Sequence, residues 1–411
     1  MNQALFDYIA ASPTAYQAAE HTAELLMKAG FTELNENVPW KLRANGKYFV
    51  SRNGSSVIAF KTPESHFTGF MITASHSDSP CFKIKENALL SDGTHVRFAV
   101  EAYGGMIDSP WLDRPLSVAG RVVYETETGV ASKTVDFKEI TAIIPNLAIH
   151  MNRGVNSGMN FNASVDMLPL YGIGEYDFKK AVCEKAGIGE DKLLATDLFV
   201  YNPQPGVEWN GLIAAPRLDD LECAYTTLEG FLTAGKSQAV QVYCLFDNEE
   251  VGSTTKQGAA GTFLYDVLSR VCEAFGTDLR EKTSSSFMLS CDNAHALHPN
   301  HPEVADKNHT VKMNGGVVIK YNANQKYTSD AVSAGIFKLI CKQANVPYQL
   351  YANRADMGGG STLGNIANTQ VSLNTVDIGL AQLAMHSCFE TAGAEDPAHM
   401  IAAVKAFLSI A

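Results

Sequence analysis

The chain has 411 residues, a formal charge of −12, and hydrophobic and charged fractions of 46% and 18%. That length exceeds what one hydrophobic core usually fills, so two domains are expected, and the composition is that of a globular chain rather than a disordered one. The negative charge argues against nucleic acid or an anionic membrane surface as the main partner.

No run approaches 18 uncharged apolar residues, so no membrane span is expected. The first residues, MNQALFDYIAASPTAY, lack the basic and uninterrupted apolar regions of a signal peptide. The eight cysteines are scattered, form no CxxC pair and often lie inside apolar runs. That usage suits a reducing compartment, and the expected location is cytoplasmic.

In chain order, apolar spacing predicts helices over 2–29, broken at Ser12-Pro13. KYFVSRNGSSVIAFK (47–61) reads as a hairpin turning at Asn53-Gly54. A strand over 67–74 runs into His76 and Asp78, and a carboxylate two residues from an imidazole can orient it. From about Cys81 to Asn202 short alternating segments separated by Gly, Asp and Ser-Pro turns predict an all-β module inserted into an α/β host. The predicted organisation is therefore a mixed-sheet α/β domain over 1–80 and 203–411, with a β-rich insert over 81–202.

The α/β texture resumes near Gly211. Asp219 precedes a helix predicted over 221–234, where an N-cap role is the ordinary reading. AVQVYCLF (239–246) reads as a buried strand, and Glu249 and Glu250 follow just past its end, where open α/β sheets bind ligands. A solvated acidic loop is the plain alternative. Further expectations are a helix over 257–275, a strand over 286–290 leading to Asp292 and His295, and a strand over 316–321 carrying Lys320. A helix over 329–344, strands over 348–351 and 369–376, and a closing helix over 396–410 complete the list. The glycine run Gly358–Gly360 lacks a Walker A ending and reads as backbone that passes close to a substrate.

His76, Asp219, Glu249, Glu250, Asp292 and His386 all stand just beyond apolar runs. Two imidazoles and several carboxylates without thiolate suit two divalent ions, Zn²⁺ first, with Co²⁺ or Mn²⁺ also accepted by such ligands. One carboxylate of the Glu249-Glu250 pair is then left to act as general base.

The ordered motifs ASHSDSP (74–80), PRLDDL (216–221), FDNEEVGS (246–253), SCDNAHALHPN (290–300), VVIKYNANQKY (317–327) and QLAMHS (382–387) together resemble the aspartyl aminopeptidase family of two-metal metallopeptidases. The resemblance implies that His76 and Asp292 bind one ion, Glu250 and His386 the other, and that Asp219 bridges. It implies Glu249 as general base and Asp78 as the partner that orients His76. Lys320 would read an acidic substrate side chain, and His295 would sit near the scissile bond. His150 would be lent to a neighbouring subunit's site by a dimerisation domain, within a dodecamer built from dimers. The substrates implied are peptides with a free N-terminus, Asp or Glu preferred.

From the residues alone, Lys320 could simply reach the surface, and His150 could be an ordinary structural histidine. His298 and His301 could form a surface turn. The rival functions are the same chemistry with a neutral, Leu-like preference, a two-metal deacylase or carboxypeptidase, and a non-catalytic assembly protein.

Overall fold

The structure, a computed structural model, describes residues 2–410. It divides into two compact units. The first comprises the chain up to Asp78, Gly206–Met385 and the chain from Glu390; the second comprises Ser79–Pro205 and His386–Phe389.

The first unit is built on a nine-stranded mixed sheet. In spatial order its strands are Thr32–Glu33, Lys47–Arg52, Ser56–Lys61, Val240–Phe246, Phe70–His76, Phe287–Cys291, Asn374–Gly379, Val317–Tyr321 and Tyr348–Ala352. The four central strands, Val240–Phe246 to Asn374–Gly379, run parallel. A parallel sheet covered on both faces needs continuously apolar strands, and every residue of Val240–Phe246 is buried.

The side-chain alternation divides that strand between two cores. Tyr243 and Leu245 join a core with the helices Asn2–Ala11, Ala15–Lys28, Leu218–Thr233, Ala331–Ala344 and Asp396–Leu408. Val242, Cys244 and Phe246 pack on the other face against Phe263–Ala274 and Leu363–Ala367. A smaller sheet follows the order Val207–Trp209, Leu212–Ala215, Glu390–Gly393, Ala381–Leu383, Ala294–His295.

The second unit is an antiparallel sheet of seven strands. Its first strand, Leu193–Tyr201, also pairs with Pro115–Thr126, which makes the sheet barrel-like. Phe82, Phe98, Trp111, Val118, Phe178 and Val200 fill its interior.

Several elements differ from the sequence expectations, among them the strand expected over 67–74, which spans Phe70–His76. The helix expected over 257–275 spans only Phe263–Ala274. Before it the chain folds tightly on itself: a Cβ on Gly258 would stand 2.3 Å from the Ser253 carbonyl oxygen. The strand expected over 369–376 is displaced to Asn374–Gly379. Asn368 is the reason, because its Oδ1 accepts from Leu373 N and Thr375 Oγ1 at 3.2 Å each and turns the chain there. The closing helix ends at Leu408. Among the described residues no disulfide joins any of the eight cysteines, and no helix is long and apolar enough to cross a membrane.

Candidate metal centre

Parallel strands deliver their carboxyl ends to one edge, and the register decides which residues meet there. His76 is the last residue of Phe70–His76 and pairs with Phe246, the last of Val240–Phe246. Glu249 and Glu250 follow in a single tight turn that opens with Asn248 at φ 64°, a left-handed conformation Asn tolerates. Asp292 follows Phe287–Cys291 directly. Its carbonyl lies so close to the next strand that a Cβ on Gly379 would stand 2.0 Å from it, so only glycine fits there. Asp219 and Asp220 enter from the start of Leu218–Thr233, where the backbone of both is non-helical. Asp219 therefore does not cap a helix; it turns inward.

His76, Asp219, Asp220 and Asp292 each offer a ligand atom, and these atoms lie within 4.8 Å of one another. His76 Nδ1 donates to the Asp78 carbonyl oxygen at 3.1 Å, which fixes the tautomer. Nε2 then faces Asp219 Oδ1 at 3.4 Å. The Asp78 carboxylate lies 3.5 Å from His76 Nδ1 through Oδ1. It also accepts the backbone amides of Glu249 and Glu250, one on each oxygen, at 3.1 Å. One side chain thereby holds the imidazole and the acidic turn in a common frame. Glu390 Oε2 accepts from Asp219 N at 3.0 Å, and Asp220 Oδ2 from His76 N at 3.1 Å.

The charges are unbalanced. Burial, reinforced by neighbouring carboxylates, raises the pKa values of Asp220, Glu249, Glu250 and Asp292; His76 and, at Asp292, Lys320 oppose the shift. Glu249 is pushed up to about 8. Burial lowers the His76 pKa, but Asp220, Asp219, Asp78 and Glu249 together carry it well above the ordinary value. Among the described residues Asp220 Oδ1 is buried without a hydrogen-bond partner. Carboxylates crowded in a dry setting around one imidazole, with a bare oxygen among them, call for cation charge, and an oxygen-and-imidazole donor set fits Zn²⁺ or a similar divalent ion.

Lys320 is 2% exposed and does not reach the surface. Its Nζ donates to the carbonyl oxygens of Asp292 and Asn293 at 2.8 and 3.2 Å and lies 3.5 Å from Asp292 Oδ2. His295 lines a cavity of about 320 Å³ bounded also by Tyr351, Gly358–Gly360 and Gln382. His298 and His301 lie side by side, His301 against Glu303 at 3.1 Å, and join no metal-ligand group among the described residues.

The other two site residues expected from sequence belong to the second unit. His150 is on an exposed turn. His386 Nδ1 donates to the Gly105 carbonyl oxygen at 2.6 Å.

Asp220, Glu390 and Asn293 were not singled out from sequence. The Asp-Asp pair in PRLDDL was a visible signal for Asp220. Nothing local marks Glu390, which lies 171 residues from the amide it holds.

A pH signature follows. Burial also pushes Glu222 up to about 8, against the hydrogen bond from Asn293. Folded-state pKa values raised above the unfolded ones mean that the metal-free fold binds extra protons between the ordinary carboxylate range and about 8 at Glu249 and Glu222. Its stability therefore falls as pH rises through that window. Zinc needs ionised ligands and binds the folded chain, so its stabilisation grows with pH. Thermal melts with and without Zn²⁺ at about pH 5.5 and about pH 8.5 should show the larger zinc-induced rise at the higher pH. A rise independent of pH would contradict the cluster.

Comparison with known proteins places this geometry. The family model described as aminopeptidase I zinc metalloprotease (M18) matches residues 8–408. A probable M18 family aminopeptidase 2 of Clostridium acetobutylicum is 42% identical over 410 residues, covering 95% of this chain and 94% of the relative. A chain of the Ape4 and Nbr1 complex, solved by cryo-EM, aligns with a TM-score of 0.95 at 32% identity, over 99% of this chain and 85% of that one. The mApe1 dodecamer of S. cerevisiae aligns with a TM-score of 0.86 at 28% identity, over 98% and 95%. The chain belongs to the M18 family of aminopeptidases, the aminopeptidase I zinc metalloproteases.

Proposed function

We propose that this chain removes N-terminal residues, Asp and Glu in preference, from peptides with a free N-terminus, using two divalent ions and Glu249 as general base. The observation that carries the reading is the convergence of His76, Asp219, Asp220 and Asp292 beside an acidic turn anchored on Asp78. In this reading His76 and Asp292 would hold one ion, Glu250 and His386 the other, and Asp219 would serve both, with Zn²⁺ the physiological metal. Bound ions supply Lewis-acid polarisation of the peptide carbonyl and acidify water.

The chain's own groups do the rest. Asp78 orients His76 and fixes the backbone from which Glu249 projects. Glu249, outside the ligand group formed by His76 and the three aspartates, accepts a proton from the attacking water and passes it to the leaving amine. Burial raises the Glu249 pKa to about 8, and a carboxyl so raised suits both proton transfers. Lys320 supplies buried positive charge favouring an acidic side chain, and His295 stands at the adjoining cavity.

The enzyme is proposed to act in the cytoplasm, a reading supported by eight cysteines that form no disulfide among the described residues. It is further proposed to assemble into a homo-oligomer, a dodecamer built from dimers, in which the β-rich unit carries the dimer contact and His150 serves a neighbouring subunit. Supporting this, Leu147, Ile149 and Met151 beside His150 are 55%, 47% and 76% exposed, an apolar turn suited to burial against another chain.

Glu249→Gln is expected to lower kcat by roughly 10²-fold or more while metal content stays at the wild-type level. Normal turnover in that variant would refute the assignment of the base. Light scattering of the purified chain is expected to give the mass of an oligomer, and a monomer mass would remove the role of His150.

A further inference from the structure

The geometry of a metal site is set by the backbone that carries each ligand and by the groups that hold that backbone. For Asp219 the local helix does not do this. The residue stands at the start of Leu218–Thr233, where backbone amides have no intrahelical acceptor, and its own backbone and that of Asp220 are non-helical. Arg217 before it lies in the left-handed region at φ 58° and makes no side-chain cap. Such a conformation persists only where the surrounding structure imposes it. Asp219 is 3% exposed, so its amide must be met by the protein and not by bulk water. The acceptor is Glu390 Oε2 at 3.0 Å.

Glu390 is itself fixed by the fold. It is 1% exposed and opens the strand Glu390–Gly393, which lies between Leu212–Ala215 and Ala381–Leu383 in the smaller sheet. In the antiparallel pairing with Leu212–Ala215 its backbone stands opposite Ala215. One residue thus holds the segment from Ala215 to Asp219 at both ends, by sheet register at one and by its carboxyl at the other. Asp220 secures the far side, since its Oδ2 accepts from His76 N at 3.1 Å. With the backbone pinned in this way, Asp219 presents Oδ1 to His76 Nε2 at 3.4 Å, within the ligand group that also contains Asp220 and Asp292.

We propose that Glu390 is a positioning residue of the metal centre: by accepting the Asp219 amide it holds the Asp219 carboxylate where a cation shared with His76 needs it. This rests on the two-ion reading above. A group that holds a ligand from behind commonly governs metal affinity by roughly 10–100-fold, although it touches neither metal nor substrate. Without its acceptor the buried amide of Asp219 is left unpaired, and the backbone shift that would relieve it carries the carboxylate away from His76.

The test measures the Zn²⁺ affinity of the folded, metal-free protein by competition with a chromophoric chelator, with the melting temperature of the metal-free form as control. Glu390→Met keeps the length and loses the acceptor, and Glu390→Gln keeps an acceptor oxygen. Glu390→Asp keeps the carboxyl but withdraws it by one methylene. The expected result is a loss of zinc affinity of roughly ten-fold or more in Glu390→Met and Glu390→Asp, with Glu390→Gln within about three-fold of wild type. Dipeptide turnover at limiting zinc should fall in the same order and recover as zinc is added. A Glu390→Met protein that melts lower without metal yet binds zinc like wild type would mean a merely structural role and overturn the proposal. Equal losses in Glu390→Gln and Glu390→Met would overturn it as well, because charge and not the accepted hydrogen bond would then matter. If the wild type binds no zinc, the two-ion reading itself fails and the proposal with it. Should Glu390→Met fail to fold, Glu390→Asp against Glu390→Gln decides the same question.

Discussion

The first unit is governed by an electrostatic constraint: several carboxylates are buried beside one imidazole at the carboxyl edge of a parallel sheet. Such a group is untenable without cations or protons, since charges of one sign cannot share a dry site. The surrounding structure is arranged to hold it nonetheless. Asp78 binds both amides of the acidic turn and orients His76, while Glu390 grips the backbone of Asp219. The sheet register sets His76 level with Phe246, so that a histidine and a glutamate pair far apart in sequence become neighbours. Packing supplies the rigidity: the strand that feeds the acidic turn is buried along its whole length.

What the sequence made legible follows from which signals are local. Val240–Phe246 is an apolar run interrupted only by Gln241, and a carboxylate pair just past a parallel strand is a local pattern with a positional meaning. The hairpin at Asn53-Gly54 and the helix break at Ser12-Pro13 are likewise written in adjacent residues. Long-range partners are not. Glu390 acts on Asp219 across 171 positions, and Asn293 finds Glu222 across 71. The helix over 257–275 was overdrawn because apolar periodicity continues through residues whose glycines fold the chain into turns. The strand at 369–376 was misplaced because Asn368 captures Leu373 and Thr375 through a side-chain oxygen, which periodicity does not register.

Lys320 illustrates how burial decides between readings that sequence leaves level. A lysine in an apolar strand can extend to water or stay inside with a partner. Here it stays inside, against Asp292, and its pKa is raised: burial lowers it, but Asp292 and its neighbours outweigh that cost. The same logic turns Asp219 from a plausible helix cap into a group facing His76 at 3.4 Å. In both cases the residue type was ordinary for its local element, and the fold gave it another use.

The central claim is that this cluster acts on peptides carrying a free α-amino group. The measurement that tests it most directly is hydrolysis by zinc-loaded protein of Asp-, Glu- and Leu-terminated dipeptides beside an N-acetyl-Asp peptide. Cleavage of the Asp and Glu dipeptides, with the blocked peptide inert, is the predicted result. Hydrolysis of the blocked peptide would contradict it and transfer the site to deacylase or carboxypeptidase chemistry.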